Sequence, residues 1–161
     1  MTKPNNREEY RECIYKVVGR TKKHPTRVNA GLGLELLDCR YKGDDSGDDE
    51  IAADFLFKPK DEHLNPSNGV HGGIIAMVFD TSAGIGAVAA TGSRISTTDI
   101  SCSYLRAMTE DAYKITITYT HIGRRMVNAV GTIREYKSGI KCAACMITFM
   151  LSGESPLELR L

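Results

Sequence analysis

The chain has 161 residues, 42% of them hydrophobic, with 21 Lys and Arg against 20 Asp and Glu. That length suits one ordinary domain with a real core, and the even balance leaves no strong field for an anionic membrane or nucleic acid. No basic tract interleaved with aromatics is present, so nucleic acid is not an expected partner. The opening MTKPNNREEYRE has no apolar signal core, and its acidic residues argue against a transit peptide. An intracellular protein is expected, cytoplasmic or mitochondrial.

Residues 7–20, REEYRECIYKVVGR, place Tyr10, Cys13, Ile14, Val17 and Val18 at helical spacing, which predicts an amphipathic helix. Thr21 to Ala30 is polar and carries His24-Pro25, so it reads as a connection with His24 solvated. Leu32–Lys42 and Glu50–Lys58 read as two strands joined by GDDSGDD. That acidic turn lacks the ordered ligand spacing and terminal bidentate Glu of a calcium loop, and a solvated hairpin tip is expected.

After Pro59 come the turn formers of KDEHLNPSNG and then the longest apolar run, Val70 to Ser93. It shows no strand-like alternation, and its length predicts a helix from Gly72 to about Ala90. The run is long enough to reach across a bilayer. Its Gly, Ala, Ser and Thr content, with Asp80 near the centre, favours a helix wrapped by a sheet over a membrane span.

Four strands are expected next, at Ser93–Leu105, Tyr113–Ile122, Met126–Tyr136 and Lys141–Leu151. Tyr113, Ile115, Ile117 and Tyr119 share one side by alternation, and short turns at 123–125 and 137–139 make the last three an antiparallel meander. The tail SGESPLELRL reads as loose. Five scattered cysteines suit reduced thiols, and Cys142-Ala-Ala-Cys145 in a strand reads as core packing rather than a metal or redox pair. The order helix, two strands, long helix, four strands predicts an α+β protein with one antiparallel sheet curled around one buried helix. Such a sheet leaves an edge, and pairing two copies edge to edge would remove it.

Asp80 is the only formally charged residue of the 70–93 run. A carboxylate on a helix apolar nearly all round is costly to bury and needs partners or a task. From His71 to Asp80 a helix turns by roughly 180° and rises roughly 13 Å. Helix N-terminus and carboxylate therefore face apart, and if both serve one site they come from different copies of the chain. That geometry predicts a homodimer with composite sites.

His63-Leu64-Asn65-Pro66, His71-Gly72-Gly73 six residues beyond the Asn, Asp80 nine beyond the His, and the later strand TTDISCSYLR together resemble the hotdog-fold acyl-CoA thioesterases, most closely the PaaI-like group. The resemblance covers roughly Leu32 to Leu151. It implies a single hotdog domain over 1–161 with its core at about 32–151, about six strands around the long helix, and an extra helix in front. It implies hydrolysis of acyl-CoA to free acid and coenzyme A, with no cofactor and no metal, in a homodimer that pairs into a dimer of dimers.

Residue by residue, the resemblance makes Asn65 and the Gly72 N–H an oxyanion hole, aimed by the positive end of the helix. His71 would hold the loop or contact Asn65 or the thioester sulfur. Asp80 would be the general base activating water or, less in keeping with the pattern, a nucleophile, and Thr97 would help hold that water. Gly73, Arg106, Arg124 and Arg125 would contact coenzyme A. Each has a plainer rival: His71 as a helix cap, Asn65 as an Asx turn, Thr97 as an ordinary strand residue, and the arginines as solubilising surface. Asp99 is taken as structural.

Related sequences usually carry Gly three residues before the His, where this chain has Asn68 followed by Gly69; Asn tolerates the left-handed conformation such a turn needs. No G-x-S-x-G elbow or H-E-x-x-H motif is present. The alternatives on the same fold are an acyl-thioester dehydratase or hydratase and a non-catalytic acyl-CoA binding module.

Overall fold

The computed structural model describes residues 2–42 and 50–152. The acidic turn GDDSGDD before Glu50 and nearly all of the tail SGESPLELRL lie outside the described residues.

Asn6 opens the first helix, α1 (Arg7–Lys22), by accepting from the Glu9 N–H at 2.9 Å. Glu8 and Glu9 in its first turn and Arg20 and Lys22 in its last complement the helix dipole. The expected apolar stripe is buried through Tyr10, Cys13, Ile14 and Val18. The polar connection that follows holds a short helix, α2 (Val28–Gly31), which its hydrophilic sequence did not announce. Then come β1 (Glu35–Arg40), β2 (Ile51–Phe57), a 3-10 turn (Asp61–His63), α3 (Gly72–Thr91), β3 (Ile95–Tyr104), β4 (Tyr113–Ile122), β5 (Met126–Glu135) and β6 (Lys141–Leu151). Several ends fall one to three residues inside the expected ones; Gly33, at φ +62, delays the start of β1, and Gly92, at φ +69, stops α3.

All six strands form one antiparallel sheet in the order β1-β2-β4-β5-β6-β3. The expected meander is present, while β3 leaves α3 and pairs with β6. The concave face carries Tyr113, Ile115 and Ile117, Val127, Ala129 and Ile133, and Cys145, Ile147 and Phe149, all buried against α3. This is the expected α+β hotdog architecture with its extra N-terminal helix. The core is wider than 32–151, because Tyr10 and Ile14 of α1 belong to the same buried cluster. In α3, 61% of the most apolar stretch is buried within the fold, and the sheet accounts for its hydrophobicity. All five cysteines are free thiols.

Candidate active site

The loop before α3 is built from backbone needs upward. His63, only 4% exposed, accepts the Lys60 N–H on Nδ1 at 3.1 Å, and its carbonyl accepts the His71 N–H at 2.9 Å. Its ring lies 5.4 Å from that of Phe57. Asn65 then folds the chain around its own side chain: Oδ1 accepts from Ser67 N–H at 2.9 Å and Gly69 N–H at 3.2 Å. With the acceptor end fixed this way, Nδ2 is left as the donor end. Asn68 sits at φ +59, the left-handed conformation expected of it in place of glycine.

His71 is the N-cap of α3, and its Nδ1 accepts the Gly73 N–H at 3.0 Å. The Gly73 donor is therefore occupied by the cap, while the Gly72 N–H, in the first turn, has no carbonyl one turn back to meet. Tyr104, at the end of β3, lays its ring over Gly72, where an added Cβ would sit 3.6 Å from the ring, and donates its hydroxyl to the Gly72 carbonyl at 3.0 Å. Burial pushes the Tyr104 pKa up, which keeps that hydroxyl a donor. A cavity of about 360 Å³ opens here, lined by Val70, Gly72, Ile75, Tyr104, Arg106 and Met108 among others.

Farther along α3, Asp80 is half-buried and accepts the Thr97 hydroxyl at 2.6 Å. The carboxylate is not sealed inside the single chain. It opens with Thr97 onto a second cavity of about 260 Å³. Beside it, the Thr81 hydroxyl is buried without a hydrogen-bond partner. The two cavities share no lining residue, so within one chain the structure groups Asn65, His71, Gly72 and Gly73 in one place and Asp80 with Thr97 in another.

The arginines separate in the same way. Arg106 is exposed at the Gly72 cavity, its N–H bonded to the Cys142 carbonyl at 3.1 Å. Arg124 and Arg125 are exposed on the β4–β5 turn at the other end of the sheet and line neither cavity; the Arg125 carbonyl accepts from Leu151, which pairs with Ile95.

Tyr104 is the site neighbour that sequence reasoning passed over. Strict alternation from Thr97 would put Asp99 on the same face as Thr97 and Tyr104 on the other. A β-bulge between Thr97 and Asp99 inverts the phase: Thr97 pairs with Phe149 and Asp99 with Thr148. Ile100, Cys102 and Tyr104 thereby join Thr97 on the helix side, and Asp99 turns away. No signal in the sequence marks that bulge. Among the described residues no group of three or more His, Cys, Asp or Glu is placed to hold a metal ion.

Residues 68–142, from Asn68 in the loop before α3 to the start of β6, match the thioesterase superfamily. No curated protein matches the chain. Among solved structures, the Escherichia coli PaaI protein of the phenylacetic acid degradation operon superposes with a TM-score of 0.75 at 13% identity, over 92% of this chain and 97% of that one. A Haemophilus influenzae thioesterase gives 0.68 at 17% identity, over 88% and 92%. A Streptococcus mutans protein solved with acetyl-CoA gives 0.64 at 20% identity, over 76% and 90%. At such identities the superpositions speak for the fold, and the superfamily match speaks for the segment from the Asn68 loop through β5. Residues 68–142 thus resemble the thioesterase superfamily in sequence, and the whole chain shares the hotdog fold of the PaaI protein.

Proposed function

We propose that the protein hydrolyses acyl-CoA thioesters, in sites each assembled from two copies of the chain. The carrying observation is the Asp80 carboxylate, hydrogen-bonded by Thr97 at 2.6 Å and open to a cavity, on the same helix whose N-terminus presents the Gly72 N–H elsewhere. One copy would supply Asn65 Nδ2 and Gly72 N–H; the other would supply Asp80 and Thr97. Support for pairing comes from the sheet edges. The β1 edge is covered by α1, whose Arg7 Nε donates to the Cys39 carbonyl at 2.8 Å. Among the described residues no strand pairs with the outer edge of β3, and each of its residues is exposed or half-exposed.

In this reading the thioester carbonyl lies against the Gly72 N–H and Asn65 amide, which hold the charge that develops on oxygen. Thr97 fixes one carboxylate oxygen of Asp80, and the other accepts a proton from water as that water attacks the carbonyl carbon. The tetrahedral intermediate collapses by breaking the carbon–sulfur bond, and the proton held by Asp80 passes to the leaving thiolate. Water and thioester become acid and thiol in balance, through protein groups alone and without a bound cofactor. Arg106, beside the Gly72 cavity, is the arginine best placed for coenzyme A phosphates. The acetyl-CoA held by the Streptococcus mutans relative is consistent with such a ligand.

Release of free thiol from a panel of acyl-CoAs, short, long and aryl, tests the reading. Asp80→Asn should keep the fold and lose activity by about 10²–10⁴-fold, the worth of a positioned general base. A wild-type protein that releases no thiol from any member would overturn it.

A further inference from the structure

The cavity beside Asp80 extends well beyond the reacting groups. Along α3 it is lined by Asp80, Gly84 and Val88, one helical face running about 12 Å from the carboxylate toward the helix C-terminus. Thr81 and Ile85 line it one position on, and Ile95 and Phe149 close it from the sheet. The remaining wall comes from Val17 and Thr21 of α1 and Asn29 of α2, all outside the segment that matches the superfamily. Thr21 spends its hydroxyl on the Val18 carbonyl at 2.7 Å, so apart from the exposed Asn29 the end away from Asp80 is without a free polar side chain.

Gly84 has no conformational reason to be glycine. An added Cβ there would meet only Ile95 Cδ1, at 3.4 Å. What the missing side chain provides is space, one turn beyond the carboxylate. The volume of about 260 Å³ exceeds the roughly 150 Å³ of a dry cavity that admits benzene. Asp80, Thr81 and Thr97 gather at one end, while Val17, Ile85, Val88, Ile95 and Phe149 supply hydrocarbon along the rest, with Asn29 at the rim.

We propose that this cavity is the acyl pocket of the site described above, that it takes an unsubstituted acyl chain of medium length, and that Val17 of α1 and Gly84 of α3 set how long that chain can be. The proposal rests on the acyl-thioester reading. It makes the N-terminal helix a specificity element: α1 reaches the core through Tyr10 and Ile14 and presents Val17 to the substrate.

The test measures binding and hydrolysis separately on one ladder of chain lengths from acetyl to dodecanoyl. Binding uses non-hydrolysable acyl-CoA thioether analogues with the full-length protein. Gly84→Leu and Val17→Phe should weaken the longest members by about tenfold, the worth of roughly two buried methylenes, and leave the shortest within about twofold. Val17→Ala should move the optimum the opposite way, toward longer chains. Opposite shifts from one position cannot come from misfolding. A ladder that all three variants leave unchanged, or that falls equally at every length, overturns the pocket. A length-dependent ladder without thiol release from true acyl-CoAs would sink the hydrolase reading and leave the pocket standing.

Discussion

His63 and His71 stand eight residues apart and use the same acceptor nitrogen in different surroundings. The Nδ1 of His71 caps α3 at an exposed position, whereas that of His63 ties down a buried turn. Burial lowers the His63 pKa, Lys60 adds to the effect, and Glu62 at 4.0 Å opposes it without prevailing. The folded chain therefore holds off a proton that the unfolded chain accepts near its ordinary value of about 6.5. With the folded pKa depressed, this contribution is full above about pH 6.5 and is lost as pH falls through the folded value. The melting-midpoint advantage of wild type over His63→Gln should accordingly narrow as pH is lowered from about 7.5 to about 5.5. An advantage constant across that range would show that the imidazole does not titrate there. Asp80 stood out in the sequence from the cost of a charge in an apolar run, and Asn65 and His71 from the motif that resembles the hotdog-fold thioesterases. The His71 cap and the Asn65 turn were legible too, since both bond to backbone N–H groups two residues on. The burial of His63 against Phe57 was not, because the loop's return path decides it.

Within α3, two glycines a few ångströms apart answer to different constraints. At Gly84 an added methyl has room, whereas at Gly86 it would collide with the Tyr119 hydroxyl and come within 2.8 Å of the Tyr10 hydroxyl. Both tyrosines bond back to the helix, Tyr119 to the Ala83 carbonyl at 2.6 Å and Tyr10 to that of Gly86 at 3.4 Å. Replacing Gly by Ala in a helix gains up to about 1 kcal/mol from propensity, and overpacking costs about 1–3 kcal/mol. Gly86→Ala should thus destabilise the protein in denaturant melts while Gly84→Ala does not; equal effects would show that the tyrosines yield. The helix itself, its length and its start at Gly72 could be read from composition and turn formers. The β3 element shows the limit: its strand character was legible, but the bulge that turns Asp99 away and brings Tyr104 over Gly72 was not.

At the scale of the whole molecule, the separation of the two half-sites becomes an experiment. If each site takes Asn65 from one copy and Asp80 from another, Asn65→Ala and Asp80→Asn proteins are each inactive alone. Mixed after reversible unfolding, statistical pairing puts half the dimers in the mixed form, each with one intact site of two, and restores about a quarter of wild-type activity. Two variants that stay inactive when mixed, although mass measurement shows mixed dimers, would place Asn65 and Asp80 in independent roles.

The sequence by itself determined which residues share a face of each helix and of each strand stretch without a bulge, because helical and strand periods are local rules. It also determined that Asp80 and the helix N-terminus lie on opposite sides of α3, since rise and rotation per residue need no tertiary contact. The tertiary structure alone decided which faces meet. It paired β3 with β6, inverted the strand's phase at the bulge, folded Tyr10 and Ile14 into the common core, and set Val17 beside the Asp80 cavity. Those outcomes depend on contacts between residues far apart in the chain, and no local period carries that information.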